Sequence, residues 1–228
     1  MSSLIFSNSS NSRESLKNSV FIFGGSFDPP HLGHEEAIAE IYKTFSPARI
    51  WLMPTFQSKS KTISTSFEHR FQLAEILSAG LQNRLGVKNI QVSSAEKELN
   101  TTYTFELLRG LQSRKTEYGE KPTFEIGSDQ FQSLPNWGNF PEVLDFCNWL
   151  ILVRKPDTLS SIATSIEQAK KDGWLTSSRT FQFFETEARA ISSSQIRGFI
   201  AKKETEKLKM NLNLNVLDYL ERNHLYGA

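Results

Sequence analysis

The chain has 228 residues, enough for one α/β domain with a sizeable core and short for two full enzyme domains. Its 26 basic and 25 acidic side chains nearly cancel, which excludes a strong overall field for nucleic acid or an anionic membrane but leaves local cationic sites open. The single Cys147 excludes an internal disulfide framework and a multi-cysteine zinc cluster and fits a reducing compartment, so the expected location is the cytoplasm.

Residues 1–18 are rich in Ser and Asn, have little to bury, and are expected to form a flexible N-terminal tail or surface arm. Their apolar group Leu4, Ile5 and Phe6 is too short for a signal-peptide core, and Glu14 with sparse Arg argues against a transit peptide. No later run approaches the roughly 18 apolar residues of a membrane span. Beyond the tail, β-branched or aromatic runs alternate with helical patterns: "SVFIFGG" and "GHEEAIAEIYKTF", "ARIWLMP" and "FEHRFQLAEILSAGL", "NIQVS" and "YTFELLRGLQSR". The rhythm continues through "TFEIG", "NWLILV" with "SSIATSIEQAKKDG", and "TFQFFE" with "SSQIRGFIAKK". The expected fold is α/β, a Rossmann-like doubly wound parallel sheet forming a single domain over residues 19–228, with a small C-terminal helical part from about 192 to 228. In such sheets ligands sit beyond the carboxyl ends of the strands, so chemistry is sought there.

The first strand ends in "GGSFDPPHLGHEE". Gly24 and Gly25 permit positive φ and close approach of a bulky ligand. Pro29 pushes Asp28 toward an extended backbone and Pro30 pre-sets the helix start, whose free N–H groups and dipole make an anion site. His31 and His34, three residues apart, can lie on one face of that helix start and aim ring N–H donors at one phosphate. The plainer alternative is that Asp28 caps the helix, Glu35 and Glu36 complement its dipole, and the histidines are polar surface. Helical zinc pairs use a spacing of four, and the adjacent glycines do not meet GxGxxG, so neither a metal site nor a dinucleotide fingerprint is expected here. At the last strand end, "AISSSQIRGFI" offers Ser193 or Ser194 as an N-cap and places Arg197 in the first helical turn, where a cation makes sense beside a bound anion.

The first stretch resembles the "GxFDPxHxGH" signature of the HxGH nucleotidyltransferases, with Gly24, Gly25, Ser26, Phe27, Asp28, Pro29, His31, Gly33 and His34 in register. The second resembles their "ISSTxIR" motif through Ser192, Ser193, Ser194 and Arg197. "NTTYTFELLRGL" is similar to the "SYTxxTL" segment of bacterial nicotinate-mononucleotide adenylyltransferases, with Thr102, Tyr103 and Thr104 aligned. "FEIGSDQFQSLPNW" matches their "FxxGxDxxxxLxxW" at Phe124, Gly127, Asp129, Leu134 and Trp137, and "VLDYLERNHLY" looks like their last helix. One departure stands out: Ser58, Lys59, Ser60 and Lys61 replace the family's "PPHK", so only Lys61 aligns with its lysine. Glu68, His69 and Arg70 fit the following helix and are read as positioning that loop.

The resemblance implies adenylyl transfer from ATP to nicotinate mononucleotide, by in-line attack of a mononucleotide phosphate oxygen on the α-phosphorus with release of pyrophosphate. Catalysis is then positioning and charge stabilisation. It assigns His31, His34 and Arg197 to catalysis, and Gly24, Gly25, Ser26, Phe27, Lys61, Ser192, Ser193 and Ser194 to ATP and its phosphates. For the mononucleotide, Trp137 offers an aromatic face, the Tyr103/Thr104 turn offers backbone donors, Asp129 accepts ribose hydroxyls, and Arg154 lies near the nucleotide. From the residues alone, Trp137 reads first as packing, the plain alternative for Asp129 is a helix cap, and Arg154 reads equally as a solvated strand end. Mg²⁺ is expected to arrive with ATP, without a carboxylate cage of its own. The expected partners are the two small substrates, not nucleic acid or membrane, and a homo-oligomer is left open. The alternatives are another acceptor (nicotinamide mononucleotide or phosphopantetheine) and a non-catalytic dinucleotide sensor. A tRNA-synthetase relative is set far behind because "QSKSK" sits at the wrong place for its loop.

Overall fold

The computed structural model describes residues 16–58 and 62–228. Six strands, β1 (Val20–Gly25), β2 (Arg49–Pro54), β3 (Ile90–Val92), β4 (Thr123–Gly127), β5 (Asn148–Val153) and β6 (Phe181–Glu185), form one parallel sheet in the order β3-β2-β1-β4-β5-β6. This is the doubly wound arrangement the alternating pattern called for. The order reverses between β1 and β4, which opens a crevice at their carboxyl ends, where "GGSFDPP" leaves the sheet.

Side chains alternate across the sheet into two cores. Phe21, Phe23, Ile50, Leu52, Leu150 and Leu152 pack on one face against helices α1 (Leu32–Phe45) and α2 (Phe67–Leu85). Ile22, Trp51, Phe124, Ile126, Trp149 and Ile151 pack on the other against α3 (Thr104–Leu111), α4 (Ser128–Ser133) and α5 (Ala163–Lys171). Burial on both faces is why β5 reads as the unbroken apolar run "NWLILV". A third cluster, with Ile196, Ile200, Leu208, Val216, Leu220 and Leu225, joins α6 (Ser193–Ala201), α7 (Thr205–Asn211) and α8 (Leu214–Arg222) to Leu73 of α2. No described helix is long and apolar enough to cross a membrane.

Residues 1–15 of the expected arm lie outside the described residues. Its last part is packed: Leu16 is fully buried beside Phe21 and Phe45, and the Asn18 N–H donates to the Ser46 carbonyl at 3.2 Å.

Candidate active site

The first strand end is built differently from the expected glycine turn. Gly24 and Gly25 stay extended within β1, and the left-handed residue is Phe27 at φ 48°. A Cβ on Gly24 would touch the Phe124 ring at 3.4 Å and one on Gly25 the Phe27 ring at 3.6 Å, so these glycines serve close approach and not positive φ. Phe27 is fully buried, and its ring holds that of His34 at 5.2 Å. A left-handed non-glycine residue costs on the order of 1–2 kcal/mol, offset here by burial of the ring.

His31, not Asp28, is the N-cap of α1. Its extended backbone (φ −144°) lets Nδ1 accept the His34 N–H at 3.4 Å, while His34 Nδ1 accepts the His31 N–H at 3.3 Å. This reciprocal cap stacks the two imidazoles at 3.7 Å, with 23° between their planes. With each Nδ1 occupied as an acceptor, the ring protons are assigned to the two Nε2 atoms. His31 is only 5% exposed, and burial, reinforced by the fields of Arg154 and Arg189, lowers its pKa to about 3. At neutral pH it is therefore an uncharged donor.

Asp28 does other work. It is 1% exposed; Oδ2 accepts the Ser64 N–H at 2.7 Å and Oδ1 accepts the Tyr226 hydroxyl at 2.7 Å. Its backbone carbonyl accepts from Arg197 Nη1 at 2.6 Å, and the same nitrogen lies 3.4 Å from Oδ2. The segment that carries Arg197 thus closes directly onto the loop after β1, and the Ser193 hydroxyl adds a bond to the Pro29 carbonyl at 2.8 Å.

The N-cap of α6 is Ser192, a correction to the expected Ser193 or Ser194. Its extended backbone lets the hydroxyl accept the Gln195 N–H at 3.3 Å while the Gln195 carboxamide takes the Ser192 N–H at 2.9 Å. The other two hydroxyls are engaged elsewhere: Ser193 with Pro29, and Ser194 accepting from Arg197 Nη2 at 3.1 Å. Arg197 consequently sits in the second helical turn and reaches back toward the helix start.

The segment that feeds α6 is fixed to α1. Glu36 accepts the Arg189 backbone N–H at 2.9 Å and its guanidinium at 2.6 Å, and Glu40 accepts the Thr186 hydroxyl at 2.6 Å. A Cβ on Gly33 would come within 2.8 Å of the Arg189 carbonyl oxygen and 3.1 Å of the Ile191 side chain. The glycine of HxGH is thus the point where α1 and this segment touch.

Beneath the opposite wall lies Arg70, 1% exposed, which donates to the carbonyls of Ser26 at 3.0 Å, Thr55 at 2.6 Å and Thr65 at 3.2 Å. It ties the β1 loop to both ends of the segment after β2. Glu96 accepts the Phe56 N–H at 2.8 Å, and burial raises its carboxyl to about 7. Lys61 lies outside the described residues.

The residues that the resemblance assigns to the mononucleotide follow β3, β4 and β5. At the start of α3, the N–H groups of Thr102 and Tyr103 donate to Glu106 at 3.1 and 3.3 Å, so the helix's own carboxylate takes two donors of this turn; Thr104 follows as the first helical residue. Tyr103 is exposed. Asp129 is exposed in the first turn of α4 and folds back over Gly127, where Arg154 from the end of β5 also approaches. Trp137 is half-buried and meets Trp149 edge-on at 6.1 Å, combining a packed edge with an accessible part. Among the described residues no cluster of three or more His, Cys, Asp or Glu side chains could hold a metal ion.

Sequence reasoning missed Tyr226 and the hub role of Asp28. The signals for them were a motif aspartate set between strand and prolines, and an apolar-aromatic "HLY" near the end of the chain.

Comparison with known proteins agrees with this architecture. The family model described as cytidylyltransferase-like matches residues 22–199, from β1 into α6, and so includes His31, His34 and Arg197. A probable nicotinate-nucleotide adenylyltransferase of Marinomonas sp. (strain MWYL1) is 32% identical over 217 residues, covering 90% of this chain and 93% of the relative. One from Acholeplasma laidlawii (strain PG-8A) is 27% identical over 213 residues, covering 91% and 97%. The structure of Plasmodium falciparum nicotinic acid mononucleotide adenylyltransferase complexed with NaAD superposes with a TM-score of 0.73 over 92% of this chain and 97% of that one; at 22% identity the likeness is one of fold. The chain belongs to the cytidylyltransferase-like family, among its nicotinate-nucleotide adenylyltransferases.

Proposed function

We propose that the chain transfers the adenylyl group of ATP to nicotinate mononucleotide, giving nicotinate adenine dinucleotide and pyrophosphate, a step of NAD biosynthesis. The observation that carries the reading is the bond from Arg197 to Asp28, with that from Ser193 to Pro29: two anion-adapted helix starts, at the first and last strand ends, meet in one site. The acceptor is supported by the names of the relatives and by the Tyr103, Thr104, Asp129, Trp137 and Arg154 rim.

The acceptor phosphate is already a nucleophile, so the residues have to hold two polyanions together and absorb charge as it develops. His31 and His34 donate from Nε2 to the α- and β-phosphates. Being uncharged, His31 does so as a neutral N–H donor and not as an imidazolium acid. Arg197, Ser192, Ser193 and Ser194 hold the departing pyrophosphate, and Lys61 neutralises whichever phosphate it reaches. Gly24, Gly25, Ser26 and Phe27 shape the wall against the nucleotide, and Arg154 keeps positive potential between the substrates. Mg²⁺ bound with ATP would supply charge neutralisation on the phosphates. The donor set of imidazole, guanidinium and hydroxyl groups suits phosphate oxygens and leaves the cation to the nucleotide. Residues 19–228 form the catalytic unit, acting on small molecules in the cytoplasm.

Incubation of the purified protein with ATP, Mg²⁺ and nicotinate mononucleotide, with the products identified by mass, is expected to yield the dinucleotide and pyrophosphate in equal amounts. Absence of the dinucleotide contradicts the proposal.

A further inference from the structure

The last residues of a chain are usually frayed. Here they are docked against the phosphate site. Leu225 is buried in the C-terminal core, and the turn Leu225–Gly227 packs on α6, the helix that carries Arg197. His224 and Tyr226 both take left-handed φ values, 49° and 58°, although neither is glycine. Such conformations persist where the surroundings over-determine them, and here they turn the Tyr226 ring inward.

The phenol ends on Asp28. Its hydroxyl donates to Oδ1 at 2.7 Å, while Oδ2 holds the Ser64 N–H at 2.7 Å and faces Arg197 Nη1 at 3.4 Å. Burial, and then the Asp28 carboxylate, push the Tyr226 hydroxyl far above its ordinary pKa, so it is a donor at every working pH. The three bonds divide the buried carboxylate. With Oδ1 satisfied by a neutral donor, Asp28 does not draw Arg197 into a two-pronged pair, and Nη1 rests instead on the Asp28 backbone carbonyl at 2.6 Å. Among the described residues Arg197 bonds only through Nη1 and Nη2, which leaves its Nε–H for an anion.

We infer that Tyr226 is a positioning residue for phosphate binding, acting through Asp28 to hold Arg197, and the segment after β2 at Ser64, in the geometry that receives the triphosphate. The inference rests on the proposed reading of Arg197 as a phosphate ligand and extends the site to the end of the chain.

The test compares wild type, Tyr226→Phe, Arg197→Lys and the double variant. Two quantities are read: the dissociation constant of a non-hydrolysable ATP analogue with Mg²⁺, and the kcat and KM of turnover. Loss of one bond to a charged group corresponds to about a tenfold change. Tyr226→Phe is expected to weaken analogue binding and lower kcat about tenfold each, with the acceptor KM within about twofold of wild type. In the Arg197→Lys background the same change is expected to cost less than about twofold, since the group it positions is already altered. Equal analogue affinity and kcat in wild type and Tyr226→Phe overturn the inference, as does an undiminished tenfold loss in the Arg197→Lys background. Where Tyr226→Phe folds poorly, Asp28→Asn carries the same expectation for analogue affinity, and wild-type affinity in that variant overturns it. Analogue binding needs no acceptor, so a wild type that binds the analogue but does not turn over nicotinate mononucleotide contradicts the proposed acceptor and not the role of Tyr226.

Discussion

Two imidazoles stack at 3.7 Å, each accepting an N–H on Nδ1. For His31 the depressed pKa makes this a statement about stability. The unfolded side chain titrates near 6.5 and the folded one near 3, so the unfolded state binds more protons between those values. The stabilisation is complete above about pH 6.5 and is lost as pH falls toward 3, amounting to at most about 5 kcal/mol. His31→Asn keeps a capping acceptor but does not titrate, so its unfolding free energy in urea is expected to fall less than that of wild type between pH 6.5 and 4. Parallel curves would mean that His31 is not held neutral. His34 carries the kinetic counterpart. His34→Ala is expected to lower kcat about 100-fold while changing the KM for ATP only a few-fold, because its donor matters most as charge develops. An unchanged kcat would remove it from transition-state stabilisation.

At the scale of elements, α1 and α6 begin where serine, proline and histidine signals put them, but the sequence could not decide which residue caps. Asp28, Ser193 and Ser194 are all good capping types, but Asp28 and Ser193 bond across the site to Tyr226 and Pro29, and Ser194 accepts from Arg197 within its own helix. Capping choice among adjacent candidates depends on what the neighbouring element offers, and that is not local information. Gly33 is the close backbone approach among the contacts that couple the two helix starts. Gly33→Ala would press a methyl against the Arg189 carbonyl, a backbone atom that cannot swing away. The expected cost is about 1–3 kcal/mol, a fall of several degrees in Tm. A raised KM for ATP should accompany it, because the displaced segment leads into Ser192 and Arg197. Wild-type melting and kinetics would show that the close approach is not needed.

Across the whole molecule, the parallel sheet brings together residues far apart in sequence: Arg197 and Ser193 reach Asp28 and Pro29, and Tyr226 arrives from the other end of the chain. The strands were legible because each is an apolar run bounded by polar turns, and the phosphate motifs because each is contiguous. Tyr226 was not legible as part of the site, since nothing near "HLY" announces an aspartate 198 positions away. The acceptor rim is legible only in part. The Glu106 carboxylate on the Thr102 and Tyr103 amides, and the half-packed Trp137, depend on loop geometry that single residues do not encode. The proposed reaction assigns the choice between acid and amide mononucleotides to these residues. The decisive measurement is the rate of pyrophosphate release with ATP, Mg²⁺ and, in turn, nicotinate mononucleotide, nicotinamide mononucleotide and phosphopantetheine. The account predicts the highest kcat/KM with nicotinate mononucleotide; release with only the other two acceptors would contradict it.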